Sequence, residues 1–229
     1  NASHFVLNSG ANLLTANPNG ISLAGNTGSV QFLGSRTYNA GANYTYNGTS
    51  AQITGNGLSA VNNLTINNNA GVTLSGPVSV AGILTLSNGI VTTTVTNLLS
   101  VTNTTTTAIS GGSSTIFING PLNRRLPANL GSGTTYNFPV GNGTTYLPFN
   151  LLNPTTGAGI VTAQVKAFAA DSGGTIDGTL ASISNSEYWS LVTGGNFINS
   201  SVSLTRQTAI APLNVIGAST AVGGPSHLW

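Results

Sequence analysis

Charge is what this 229-residue sequence has least of. Three acids and five bases make up 3% of the chain, against roughly 25% in an ordinary soluble domain. Nucleic-acid binding needs clustered Lys and Arg to displace phosphate counterions. The five bases are Arg36, Arg124, Arg125, Lys166 and Arg206, one adjacent pair and no patch, so no nucleic-acid partner is expected. Cysteine is absent, which removes disulfides, thiolate chemistry and Cys-ligated zinc together. No run approaches the roughly 20 apolar residues of a membrane helix, so the chain is not expected to span a membrane. No Asp or Glu precedes Asp171. A pectin-cleaving β-helix enzyme, which needs acidic calcium ligands or paired carboxylates, is therefore excluded for the first half. Histidine occurs only as His4 and His227, both near chain ends, which leaves a Ser-His-acid triad without a well-held base. Methionine is also missing, and Asn1-Ala2-Ser3 opens the chain with no basic-then-apolar leader. These features predict a processed product or a piece of a larger polypeptide.

What is abundant is small and polar. Asn (29), Thr (32), Ser (25) and Gly (30) fill 116 positions, yet 39% of residues are apolar. Disordered chains combine low hydrophobicity with high net charge; this one has neither, so it should fold. Thr, Asn, Ser, Gly and Val are poor helix formers. Apolar residues alternate over short spans instead, as in Val30-Gln31-Phe32, Tyr44-Thr45-Tyr46, Leu64-Thr65-Ile66, Val72-Thr73-Leu74, Val78-Ser79-Val80 and Leu84-Thr85-Leu86. Alternation of period two is the mark of strands. Six Asn-Gly pairs, at Asn19, Asn47, Asn56, Asn88, Asn119 and Asn142, supply the positive φ angles of tight turns. The expected fold class is all-β.

Internal recurrence selects the architecture. Leu64-Thr65-Ile66-Asn67-Asn68 returns 20 residues later as Leu84-Thr85-Leu86-Ser87-Asn88, and Gly71-Val72-Thr73 returns 18 residues later as Gly89-Ile90-Val91. A period near 20 fits one coil of three short strands, and coils stacked about 4.8 Å apart set like residues above like. Residues 1–112 are expected to form a parallel β-helix, a solenoid of five or six coils, with Val, Leu and Ile inside and Thr and Asn ladders outside. Near Thr104–Thr107 and Gly111–Ser114 the coil pattern stops. Beyond it, seven longer strands are expected, from Thr115–Ile118 to Leu213–Ile216, with Pro139, Pro148 and Pro154 limiting which are central. Residues 113–229 read as an antiparallel β-sandwich-like module.

Candidate chemistry is sparse, and no cofactor or catalytic residue is assigned. Asp171 and Asp177 could flank a calcium ion, but the alternating acidic ligands of a calcium loop are missing, and solvated loop charges explain them as well. Arg124 and Arg125 suit an anionic glycan; equally they suit a structural pairing with one of the three acids. Tyr188 and Trp189 suit a sugar platform or sandwich core. Tyr38, Tyr44 and Tyr46 could stack on sugars, and their alternation suits inward packing at least as well.

The segment Tyr44–Gly55, with Val61-Asn62-Asn63-Leu64-Thr65-Ile66-Asn67-Asn68 and Gly71-Val72-Thr73-Leu74, resembles the repetitive surface proteins and adhesins of Bacteroidota, which are exported by the type IX secretion system. Tyr136-Asn137-Phe138-Pro139-Val140-Gly141, Tyr146-Leu147-Pro148-Phe149 and Tyr188-Trp189 resemble the module that follows the coils in such proteins. The resemblance implies a secreted, extracellular protein of the bacterial cell surface, with the type IX machinery as its partner during export. It also implies a role in cell adhesion or gliding motility, with surface glycans or neighbouring cells as partners. The sequence reading is thus a non-enzymatic stalk or adhesive segment, with a carbohydrate-binding module of a larger polysaccharide-acting protein as the alternative.

Overall fold

The computed structural model describes residues 4–31, 33–173, 175 and 183–206. Short strands follow one another in spans of about 20 residues. The first spans hold β1 (His4–Leu7) and β2 (Asn12–Thr15), then β3 (Ser35–Tyr38), β4 (Asn43–Tyr46) and β5 (Gln52–Ile53). Next come β6 (Ala60–Val61), β7 (Leu64–Asn67) and β8 (Val72–Thr73), then β9 (Val78–Val80), β10 (Leu84–Asn88) and β11 (Val91–Thr92). They are followed by β12 (Leu99–Val101), a 3₁₀ turn at Thr106–Ala108, β13 (Ile109–Ser110) and β14 (Ile118–Asn119). The remainder holds β15 (Leu122–Leu126), β16 (Thr135–Phe138), β17 (Val140–Asn142), β18 (Thr145–Tyr146), β19 (Phe149–Thr156), β20 (Val161–Phe168), β21 (Tyr188–Gly194) and β22 (Phe197–Leu204). The fold is all-β.

Most pairing is parallel. One sheet runs β2-β4-β7-β10-β13, a second β5-β8-β11-β14-β17-β18, and a third β6-β9-β12-β15-β20-β21, while β1 pairs with β3. Parallel neighbours lie about one 20-residue span apart: Tyr44, Leu64 and Leu84 stand in one row, as do Tyr46 and Ile66. Antiparallel pairing enters where β20 joins β15 and where β18 folds back on β17, so both senses share these sheets. The sheet β16-β19-β22 is antiparallel throughout.

Alternation decides which side chains are inside. Tyr44, Tyr46, Leu64, Ile66, Leu84 and Leu86 are buried, whereas Thr45, Thr65 and Thr85 between them are only half-buried. Inside, rows of identical pleat position form apolar columns: Val72 stands on Val91 and Ile118, and Val78 on Leu99 and Leu122. At ~25 cal/mol per Å² of apolar area withdrawn from water, such columns supply the main drive for folding. Outside, amides bridge the rungs. Asn43 donates to Asn12 Oδ1 (3.1 Å), and its own Oδ1 accepts from Asn62 Nδ2 and Asn63 Nδ2, each at 2.9 Å.

Three expectations are corrected. Val72 pairs with Val91, one residue beyond the Ile90 that the 18-residue recurrence indicates, because a bulge between Leu86 and Asn88 inserts an extra residue into β10. Val30 and Gln31 form no strand, and Phe32 lies outside the described residues; β3 begins instead at Ser35. Two glycines, Gly25 and Gly28, interrupt this stretch, and Arg36 gathers it by donating to the Ser22 carbonyl (2.9 Å) and hydroxyl (2.6 Å). Pro154 occupies β19, the middle strand of its sheet, where a proline has no ladder hydrogen to give. The strand accommodates it with a register shift between Leu152 and Thr155 and a positive φ (51°) at Asn153. The expected strand Leu213–Ile216 lies outside the described residues.

Candidate functional site

The two candidate dipeptides are each split by the pleat. On β15 burial alternates, so Arg124 is fully buried and Arg125 half-buried. On β21, Trp189 packs against the apolar core and donates Nε1 to the Leu147 carbonyl at 2.9 Å, while Tyr188 pairs with Phe168 on the other face. Arg125 and Tyr188 thus belong to the outward face of one sheet, and Arg124 and Trp189 to its interior.

Arg124 tops an inward column, with Val61, Val80 and Val101 beneath it in register. Its guanidinium donates to the carbonyls of Asn137 (2.8 Å), Thr105 (2.8 Å) and Thr106 (3.3 Å), and lies 5.1 Å from the Tyr136 ring centroid. Desolvation pulls its pKa down to about 10. The expectation that the Arg pair meets an acid is corrected for Arg124, whose partners are carbonyls and rings. Glu187, 6% exposed, forms an ion pair with Arg206 instead. At the opposite end of a neighbouring column, buried Gln52 donates to the carbonyls of Thr15 and Asn17 at 3.0 Å each.

The outward face carries the chemistry open to a partner. Lys166 Nζ sits 4.4 Å from the Phe168 centroid, and Phe168 stacks on Tyr188 at 4.3 Å with the planes 2° apart. A cation over an aromatic face is attracted by the ring quadrupole. Along β20 the outward positions are Thr162, Gln164, Lys166 and Phe168; Thr162 pairs with Arg125, and Gln164 with Asn123 of β15. Asn123 in turn donates to Ser100 Oγ at 3.3 Å. Six residues separate the Arg125 and Tyr188 positions along β20, a strip of roughly 20 Å at about 3.4 Å per residue. It offers two cations, an aromatic pair and a run of amides and hydroxyls, which suit a hydroxyl-rich chain bearing negative groups.

Lys166 and Phe168 were not singled out from the sequence. Their parity along β20 was legible, but only the β20–β21 register sets Phe168 against Tyr188. The other candidates are elsewhere. Asp171 Oδ1 accepts from the Gly173 amide at 2.8 Å, and Asp177 lies outside the described residues, as does His227. Among the described residues no group of three or more His, Cys, Asp or Glu is arranged to hold a metal. His4 bonds to the hydroxyls of Ser35 and Thr37 (3.3 Å to the latter). Tyr44 and Tyr46 are buried, which removes them from sugar stacking, and Tyr38 bonds to the Ser22 carbonyl at 3.1 Å. No helix among the described residues is long and apolar enough to cross a membrane. No protein-family model, curated protein or solved structure matches the chain.

Proposed function

We propose that the protein is a non-enzymatic stalk and adhesive segment of a large secreted surface protein, exported by the type IX secretion system to the bacterial cell surface. In this reading the three mostly parallel sheets are the walls of a β-helix solenoid, which gives way to a β-sandwich-like module toward the C-terminus. Rows that repeat every 20 residues, such as Tyr44, Leu64 and Leu84, support the solenoid. A continuous apolar column with hydrogen-bonded walls makes a stiff rod.

The observation that carries the adhesive reading is the outward face: uncharged rungs of Ser, Thr and Asn that lead to the Arg125, Lys166, Phe168 and Tyr188 strip. Each hydroxyl or amide contact is weak, and multiplicity supplies the avidity. The test is retention of beads displaying many copies on surfaces coated with uronate-bearing or neutral polysaccharides. Beads should be held at low salt, more strongly by the uronate surface, and Lys166→Ala or Tyr188→Ala should release them. Beads that bind no glycan surface would refute the adhesive reading. The Lys166, Phe168 and Tyr188 cluster also favours a second reading, a carbohydrate-binding module of a larger polysaccharide-acting protein. That reading requires single copies to bind one defined sugar saturably.

A further inference from the structure

The six Asn-Gly pairs are chemically alike but not equally held. In five, the glycine amide already donates a hydrogen bond: Gly20 to the Asn17 carbonyl (3.0 Å), Gly48 to Gln52 Oε1 (2.9 Å), Gly57 to the Ile21 carbonyl (2.8 Å), Gly120 to the Gly141 carbonyl (3.3 Å) and Gly143 to Asn119 Oδ1 (2.9 Å). Gly89 differs. It is buried, and its amide has no acceptor among the described residues, because the bulge in β10 shifts it out of the ladder. The preceding Asn88 side chain is exposed, held only by its Nδ2 donating to Asn67 Oδ1 at 2.7 Å.

We propose that Asn88-Gly89 is a self-modification site at which the folded chain deamidates ahead of its other Asn-Gly pairs. Attack by the Gly89 nitrogen on Asn88 Cγ forms a C–N bond and breaks the Cγ–Nδ2 bond. The amide proton goes to the departing nitrogen, which leaves as ammonia. The resulting succinimide has no N–H, so cyclisation removes a buried donor that lacks a partner, a costly state in a folded protein. In the other five pairs cyclisation would sacrifice a hydrogen bond. Water then opens the ring at either carbonyl to give aspartate or isoaspartate. The new carboxylate faces Asn67 Oδ1, turning a rung that donated into one that repels, in a region with no acid before Asp171.

Incubation of the native chain at pH 8, with peptide mass mapping over weeks, tests this. A gain of about 1 Da should accumulate at Asn88 at least ~5-fold faster than at the other five pairs, and the same chain unfolded in urea should lose that preference. Asn88→Ser should abolish the fastest component while leaving the fold intact by circular dichroism. Faster change at any other pair in the native chain, or equal rates at all six, overturns the proposal.

Discussion

Replacing Arg124 with methionine keeps most of the apolar stem on the Val61, Val80 and Val101 column but removes the donors that close it. Three carbonyls, those of Thr105, Thr106 and Asn137, then lose their partner. An unpaired buried carbonyl costs about 1–3 kcal/mol, so the three together cost about 6. Against this stands the desolvation of the guanidinium, which draws its pKa down to about 10. At ~1.4 kcal/mol per pH unit, relief of that burden returns about 3 kcal/mol. The net expectation for Arg124→Met is a loss of about 3 kcal/mol, a fall of about 1 M in the urea midpoint at a slope of ~3 kcal/mol per M. Arg124→Lys should fall between, because one ammonium cannot span carbonyls that a planar fork reaches. Equilibrium urea unfolding followed by circular dichroism reads both. An Arg124→Met protein as stable as the parent, or more so, would refute the reasoning, since buried charges are often replaceable by apolar residues at a gain.

All six tyrosines have phenol pKa values raised by burial, Tyr44 to about 12, and Tyr46 is raised as well. Their folded values exceed the unfolded value of 10, so this stability is intact below pH 10 and is lost as pH climbs through the folded values, at ~1.4 kcal/mol per pH unit per phenol still protonated in the fold. Tyrosinate absorbance at 295 nm should therefore rise together with the loss of β-sheet signal, and a titration centred at pH 10 on an intact fold would contradict it. Gly89→Ala places a Cβ 1.8 Å from the Asn68 carbonyl oxygen at a φ of +78°, whereas Gly143→Ala, at +61°, meets open space. The first should fail to yield native protein and the second should cost about 1 kcal/mol in urea unfolding. Asn43→Ala removes an oxygen that accepts from Asn62 and Asn63 and a donor to Asn12, and should lower stability by about 1–3 kcal/mol. No change in its midpoint would show that water replaces the ladder without cost.

Strand character was legible in the sequence because it is local. Period-two alternation at Tyr44 to Tyr46 and at Leu84 to Leu86 states which side chains share a face, and the structure buries those residues. The 20-residue return of Leu64-Thr65-Ile66 as Leu84-Thr85-Leu86 is also the observed register, since identical rungs stack best in phase. The poverty of charge likewise suits rungs that bridge through amides, as Asn12, Asn43, Asn62 and Asn63 do.

What lay beyond the sequence was everything set by one chain segment meeting another at a distance. The bulge in β10 moves Val91 under Val72 and strands the Gly89 amide, and nothing in the local residue pattern announces it. Arg124 and Arg125 are indistinguishable as letters, yet one became a buried cap and the other part of a surface strip, because the pleat sends neighbours to opposite faces and only sheet packing decides which face is dry. Tyr188 acquired Phe168 and Lys166 as companions through antiparallel pairing across some 20 positions of intervening chain. Alternation is a property of consecutive residues and is written in their order; register and burial are free-energy minima over pairs of strands, and exist only once the sheets have formed.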